Sequence, residues 1–328
     1  LARYLLRAYD RRTVLQIGAV SLILAMFGLS LAMNFWVFLF FSFLFGLSLG
    51  IVGLVPNVLV PLGSSAEKKQ QLLAGLHAMY GVASFLSPLI AAGMQWWMGT
   101  WRWTFAVTSI APLSLILYSL HSSHRDLHKK TEMTAESRRH HHRMNFKPQM
   151  HLALMVSFCV AAEILVSSRL ALYMRRAWNY DMEQSSLYVT YFFVALLVGR
   201  GLFAIVKLPM SLRRQLSGSL VLSAIFFFFG LHWHPLFLAL IGFSVAPFYP
   251  LSIAWISSRF PHDLDTAVSY MMTTDSVMLV LMHLLVGKVT DDHGIGRAFY
   301  LGPVFLLFSF ILANTFEMTV KPRRARPT

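Results

Sequence analysis

Ten runs of about 20 apolar residues, almost free of charge, dominate the chain; they lie near 13–32, 35–59, 72–95, 103–120, 150–174, 185–206, 216–232, 236–257, 266–287 and 298–316. A hydrocarbon layer about 30 Å thick takes roughly 20 helical residues to cross, so each run is long enough to span one. Only helices and closed barrels satisfy their backbone hydrogen bonds in lipid, and these runs lack the two-residue alternation of barrel strands. An all-α integral membrane protein, multi-pass, is therefore expected. Composition agrees, since 56% hydrophobic and 13% charged residues is a balance suited to a chain solvated by lipid.

The formal charge of +14 would suggest a nucleic-acid partner in a soluble protein. Here it is distributed by side. If the spans alternate, 21 Lys and Arg residues fall on the side of the chain ends and 5 on the opposite side. The positive-inside rule then places both termini in the cytoplasm, with the chain in the cell's inner (plasma) membrane. Basic residues read in this way signal topology, and no nucleic-acid partner is expected. Cys159 is the single cysteine and lies within a span, so an intramolecular disulfide and a Cys-based metal site are both excluded.

Four spans are followed by a polar stretch, residues 121–149, and then by six more. The expected organisation is a partial N-terminal helical half at 1–120, a cytoplasmic linker at 121–149 and a six-helix half with a basic tail at 150–328. The linker holds seven basic residues, three acidic ones and six histidines, too few apolar groups for a core. His121, His124 and His128 would share a helical face and His140, His141 and His142 form a run. The surrounding Lys and Arg repel cations, so a surface near anionic lipid is expected in place of a metal site.

Residues 56–105 can be laid without a gap on 250–299, with Gly93 falling on Gly287. Weak symmetry of this kind is expected of transporter halves that descend from one repeat. Arg213 and Arg214 stand about 64 residues into the second half, whereas Arg11 and Arg12 stand 12 residues into the chain. Two helices of the first half are thus expected in about 50 residues upstream of Leu1, giving ten of twelve transmembrane helices in the present chain.

Several motifs carry a family resemblance. Tyr9-Asp10-Arg11-Arg12 before an apolar helix resembles the end of the signature loop of the major facilitator superfamily, and Gly199-Arg200 with Arg213 and Arg214 resembles the matching region of the second half. The chain is also similar to fucose-permease-type sugar/proton symporters in Gly46-Leu47-Ser48-Leu49-Gly50, Pro56-Asn57, Leu62-Gly63, Leu76-His77-Ala78-Met79-Tyr80-Gly81 and Ser87-Pro88. Glu163 and Ala246-Pro247-Phe248-Tyr249-Pro250 add to that likeness. It departs from them around Val52, where such symporters carry a carboxylate. The resemblance implies a major facilitator fold, alternating access, a cytoplasmic gate drawn from Asp10, Arg11, Arg12 and Arg200, and symport of a small polar solute with protons.

The residues themselves point the same way. A charge near the bilayer centre costs at least about 2.5–3.5 kcal/mol, so each one retained needs a reason. Glu163 is the fourteenth residue of its span and Asp275 the tenth of its own, which puts both near the midplane. Shielding from water favours the protonated form of a carboxylic acid, the property a proton-coupled cycle needs. Arg169 and Arg200 lie close enough to span ends to snorkel; for Arg200 a gate role stands equally open. Asn57, His77 and Tyr80 offer donors and acceptors to a hydroxylated solute, with His77 and Tyr80 on one helix face. Tyr191 pairs with Tyr188, and Pro247 and Pro250 interrupt the helix beside Tyr249. Interhelical packing through polar contacts is the plain alternative for each.

A solute, protons and membrane lipids are the partners expected, with no cofactor and a monomeric state. The competing readings are efflux of amphipathic drugs or metabolites, which favours a more apolar cavity, and a membrane-embedded enzyme using His77 or His283, for which no catalytic spacing is present. The topology is tested by labelling: cysteines placed at Arg138 and Asp291 are expected to react from opposite faces of the membrane, and reaction from one face would overturn the span count.

Overall fold

The computed structural model describes residues 2–65, 67–121 and 135–319, and all its regular structure is helical. In order the helices are α1 (Ala2–Ala8), α2 (Arg11–Leu31), α3 (Phe35–Gly63), α4 (Lys69–Met98), α5 (Trp103–Thr108), α6 (Ile110–His121) and α7 (Ala135–Ala177). They are followed by α8 (Met182–Ile205), α9 (Leu212–His232), α10 (Leu236–Val245), α11 (Phe248–Arg259), α12 (Leu264–His293), α13 (Ile295–Ala298) and α14 (Leu301–Thr319). Nine helical stretches among the described residues are long and apolar enough to cross a membrane. The tenth expected span lies within α4, a helix of 30 residues.

Lipid is the natural solvent of this surface. On α12, Val277, Val280, Leu281 and Leu284 follow the helical repeat and are all more than half exposed. The opposite face of the same helix buries Val268, Met271, Asp275, Met282 and Val286. A stripe of large apolar side chains turned outward would be a liability in water and is what a spanning helix requires.

Three elements differ from the sequence expectation. The span at 103–120 is two helices, parted at Ser109, whose hydroxyl turns back to the Ala106 carbonyl at 2.6 Å. The span at 236–257 is interrupted at Ala246 and Pro247 only; Pro250 sits in the first turn of α11, where a missing N–H costs nothing. The expected linker 121–149 is helical from Ala135, and α7 runs on without a break, through Pro148, into the span. Residues 122–134 lie outside the described residues.

The chain forms two compact units. One comprises Leu1–Ser65 and Ala83–Arg138. In it α2 lies against α3 and α6: Gly18 meets the Ile51 side chain, Gln16 donates to Ser119 Oγ at 3.0 Å, and Arg12 donates to the Leu120 carbonyl at 3.0 Å. Asp10 caps α2 by accepting from the Thr13 N–H at 3.0 Å, which satisfies one of the helix's unpaired donors.

The other unit comprises Ala66–Val82 and Arg139–Thr328. The first part of α4 runs antiparallel to α8 within it. Gln71 donates to the Ile205 carbonyl at 2.8 Å, Gly75 faces Ala204, and Gly81 faces Leu197. On its other side α8 meets α10 through two glycines. A methyl on Gly199 would sit 2.6 Å from Ala246 Cβ, and one on Gly242 would collide with the Phe192 carbonyl oxygen. Ser219 and Ser223 tie α9 to Ser244 of α10 at 2.5 and 2.7 Å. Small residues let helices approach until side-chain hydroxyls can reach across, the usual source of cohesion where lipid is as apolar as leucine.

The glycine contact is testable. Gly242→Ala is expected to lower the stability of the protein in lipid by about 1–3 kcal/mol, because backbone cannot yield to the added methyl. Gly287→Ala, a helical position with nothing within 4 Å, is expected to leave thermal stability unchanged or slightly raised. Equal effects at the two positions would contradict the close approach of α8 and α10.

Candidate functional site

Polar side chains from five helices of the second unit form one cluster, most of it buried and Tyr80 half exposed. Ser157 and Glu163 come from α7, Arg200 from α8, His77 and Tyr80 from α4, Tyr249 from α11 and Asp275 from α12. Arg200 is 4% exposed and Glu163 8%, so neither charge can lean on water. They face each other instead, with Arg200 Nη2 and Glu163 Oε1 3.4 Å apart. Arg200 Nη1 donates to the His77 carbonyl at 3.1 Å, and the guanidinium lies over the Tyr80 ring, 5.3 Å from its centroid. Arg200 Nε is buried with no hydrogen-bond partner among the described residues.

The direction of this arginine follows from helix geometry. Side chains on a helix tilt toward its N-terminus. Arg200 stands near the Ile205 end of α8, so its side chain leans back toward Met182 and into the unit. Snorkelling past Ile205 would need the opposite lean, and the burial shows that it does not occur.

A second network adjoins the ion pair. Ser157 Oγ stands 2.7 Å from Asp275 Oδ1 and 2.9 Å from the carbonyl of Ala153. The Tyr249 hydroxyl faces Asp275, and its ring meets His77 edge-on at 4.9 Å. The break at Ala246 and Pro247 explains why Tyr249 can do this: it occupies the first turn of a new helix, α11. Asp275 is near enough to Glu163 for the two charges to act on each other.

Of the residues singled out from the sequence, Glu163, Asp275, His77, Tyr80, Tyr249 and Arg200 are brought together. Tyr191 is not; it is 45% exposed, on α8 about 13 Å of helix from Arg200, in a chain of rings with Tyr188 and Tyr180. Asn57, Asp10, Arg11 and Arg12 belong to the other unit, where Asn57 donates to the Gly53 carbonyl at 2.9 Å. Arg11 is buried at the start of α2. Ser157 is the member that sequence reading missed, since serine is common in spans and carries no charge to mark it. Among the described residues no group of three metal-ligating side chains occurs. His124 and His128, and the side chains of His140, His141 and His142, lie outside the described residues.

A charged pair buried inside a bundle whose outer surface is apolar is costly to hold in a membrane and is a candidate for transport chemistry. The family model of the Major Facilitator Superfamily matches residues 1–165 and 152–328. The chain belongs to this superfamily. It is a multi-pass membrane transporter for small-molecule solutes.

Relatives and solved structures agree on the fold. The chain is 20% identical over 328 residues to "Protein TsgA homolog" of Buchnera aphidicola subsp. Baizongia pistaciae (strain Bp), covering 98% of this chain and 83% of that protein. The homologue of the same name from Yersinia pestis (strain Pestoides F) is 19% identical over 330 residues at the same coverage. The E. coli fucose:proton symporter FucP superposes with a TM-score of 0.80 at 15% identity, covering 96% of this chain and 86% of that one. The human organic anion transporter MFSD10 (TETRAN) gives 0.76 at 14% identity, covering 95% and 79%. Identities this low speak for the fold alone.

Proposed function

We propose that this transporter moves a small, neutral, hydroxylated solute of the sugar class in symport with protons, as a monomer in the inner membrane with both termini cytoplasmic. The observation that carries the reading is the Glu163–Arg200 pair set among His77, Tyr80, Tyr249 and Asp275. Such a cluster combines a donor fork, acceptor carboxylates and aromatic faces, the chemistry that holds a polyhydroxylated ring. Charge decides between a neutral and an anionic solute. Arg200 is already offset by Glu163, and Asp275 adds a second acid, so the cluster has no excess positive charge to attract an anion. An apolar efflux cavity would not need so many buried polar groups, each of which costs free energy unless it is matched. The likeness in fold to a fucose:proton symporter supports the choice of probe.

The test is uptake of labelled fucose and related neutral hexoses by liposomes containing the chain, with the outside acid. Accumulation above equilibrium that a protonophore abolishes is expected. Uptake restricted to amphipathic dyes, or to organic anions, would overturn the reading. With an accepted sugar, Glu163→Gln is expected to lower both uptake and counterflow at least tenfold, because it removes a solute contact and leaves Arg200 unbalanced. Unchanged transport in that variant would remove Glu163 from the binding site.

A further inference from the structure

The two buried acids are served by different kinds of partner. Glu163 faces Arg200, whose guanidinium has donors and no acceptor. That arrangement suits a carboxylate and gives a protonated acid nothing to donate to. Asp275 faces hydroxyls, Ser157 from α7 and Tyr249 from α11. The ion pairs among the described residues are Arg200–Glu163, Arg259–Glu317 and Lys288–Asp292, and none includes Asp275.

Ser157 has a single hydroxyl hydrogen, yet it stands at bonding distance from two oxygens, 2.7 Å from Asp275 Oδ1 and 2.9 Å from the Ala153 carbonyl. One hydrogen cannot fill both contacts. If Asp275 is ionised, the serine donates to it. If Asp275 holds a proton, its own O–H donates to Ser157 Oγ and the serine turns its hydrogen to the Ala153 carbonyl. Both states are then fully bonded, and no heavy atom has to move.

From this geometry we infer that Asp275 carries the coupled proton, that Ser157 is the positioning residue serving both of its protonation states, and that Glu163 is the fixed partner of Arg200. The inference rests on the proton-coupled reading above and deepens it. In the step itself a hydronium ion gives its proton to the Asp275 carboxylate, forming one O–H bond and leaving water. On the other side of the membrane that O–H bond breaks and the proton returns to water. The titratable groups facing Asp275 are Tyr249 on α11 and Cys159 and Glu163 on α7; Arg200 on α8 acts through Glu163.

The test needs no solute. Infrared difference spectra of the full chain in lipid bilayers, recorded while the pH is stepped, read the carboxylic C=O stretch of any acid that gains a proton. A titrating band is expected in the unaltered chain, lost in Asp275→Asn, retained in Glu163→Gln, and shifted in frequency in Ser157→Ala, which keeps the acid and removes one hydrogen-bond partner. Ser157→Ala changes a single hydroxyl, so it reads out the assignment independently of whether Asp275→Asn folds. A band that survives Asp275→Asn and disappears in Glu163→Gln would move the proton to Glu163. A band indifferent to Ser157→Ala would overturn the role of the serine, and absence of any titrating band would overturn the inference entirely. Failure to transport fucose would leave these spectra unchanged, so errors in the solute and in the proton carrier are separable.

Discussion

A charge held inside a bundle of membrane helices has to find its opposite there, since neither lipid nor bulk water will stabilise it. In this chain Arg200 meets that demand with Glu163 at 3.4 Å, the His77 carbonyl at 3.1 Å and the face of Tyr80. Those three contacts join α8 to α7 and to the first part of α4. They also fix where polar chemistry can occur, because the remaining acid, Asp275, is left to hydroxyl partners within the same cluster. Helix packing and the proposed transport chemistry thus draw on one set of side chains.

The surrounding helices are shaped to allow this. Gly199 and Gly242 bring α8 against α10, and Gly75 and Gly81 line its approach to α4. Bulkier residues there would hold the backbones apart and move the guanidinium away from its carbonyl partner. The interruption at Ala246 and Pro247 has a comparable effect on Tyr249, which sits at the start of α11 between His77 and Asp275. Apolar residues face outward on α12 and inward only where another helix covers them, so lipid and protein each receive the surface that suits them.

Much of this was legible in the sequence because lipid imposes a simple rule: a spanning run has to be long, helical and nearly free of charge. The rule sees what lies within the bilayer and nothing beyond it. Residues from Ala135 form a helix although they are polar, since a helix that continues outside the membrane needs no apolar side chains. Nor does the rule register the break at Ser109, where Pro112 in the first turn of α6 has no N–H for the Thr108 carbonyl and so parts α5 from α6. Glu163, Asp275 and Arg200 stood out one by one through the cost of burying a charge. Their pairing depended on which way a helical side chain leans, and Arg200 leans inward although it lies near a span end. Ser157 could be recognised only from its two competing oxygen contacts. Asn57 and Tyr191 were drawn in by residue type and helical spacing; Asn57 belongs to the other unit and Tyr191 to the tyrosine chain.

The central claim is that Arg200 and Glu163 act as one unit, and a double-mutant cycle on the stability of the lipid-embedded protein tests it most directly. Arg200→Gln and Glu163→Gln alone are each expected to destabilise by about 3–5 kcal/mol, because each leaves a buried charge without its partner. The double variant removes both charges and is expected to lose less than the sum, with a coupling of at least about 1 kcal/mol. Additive effects within about 0.5 kcal/mol would show that the two residues do not depend on each other and would contradict the account.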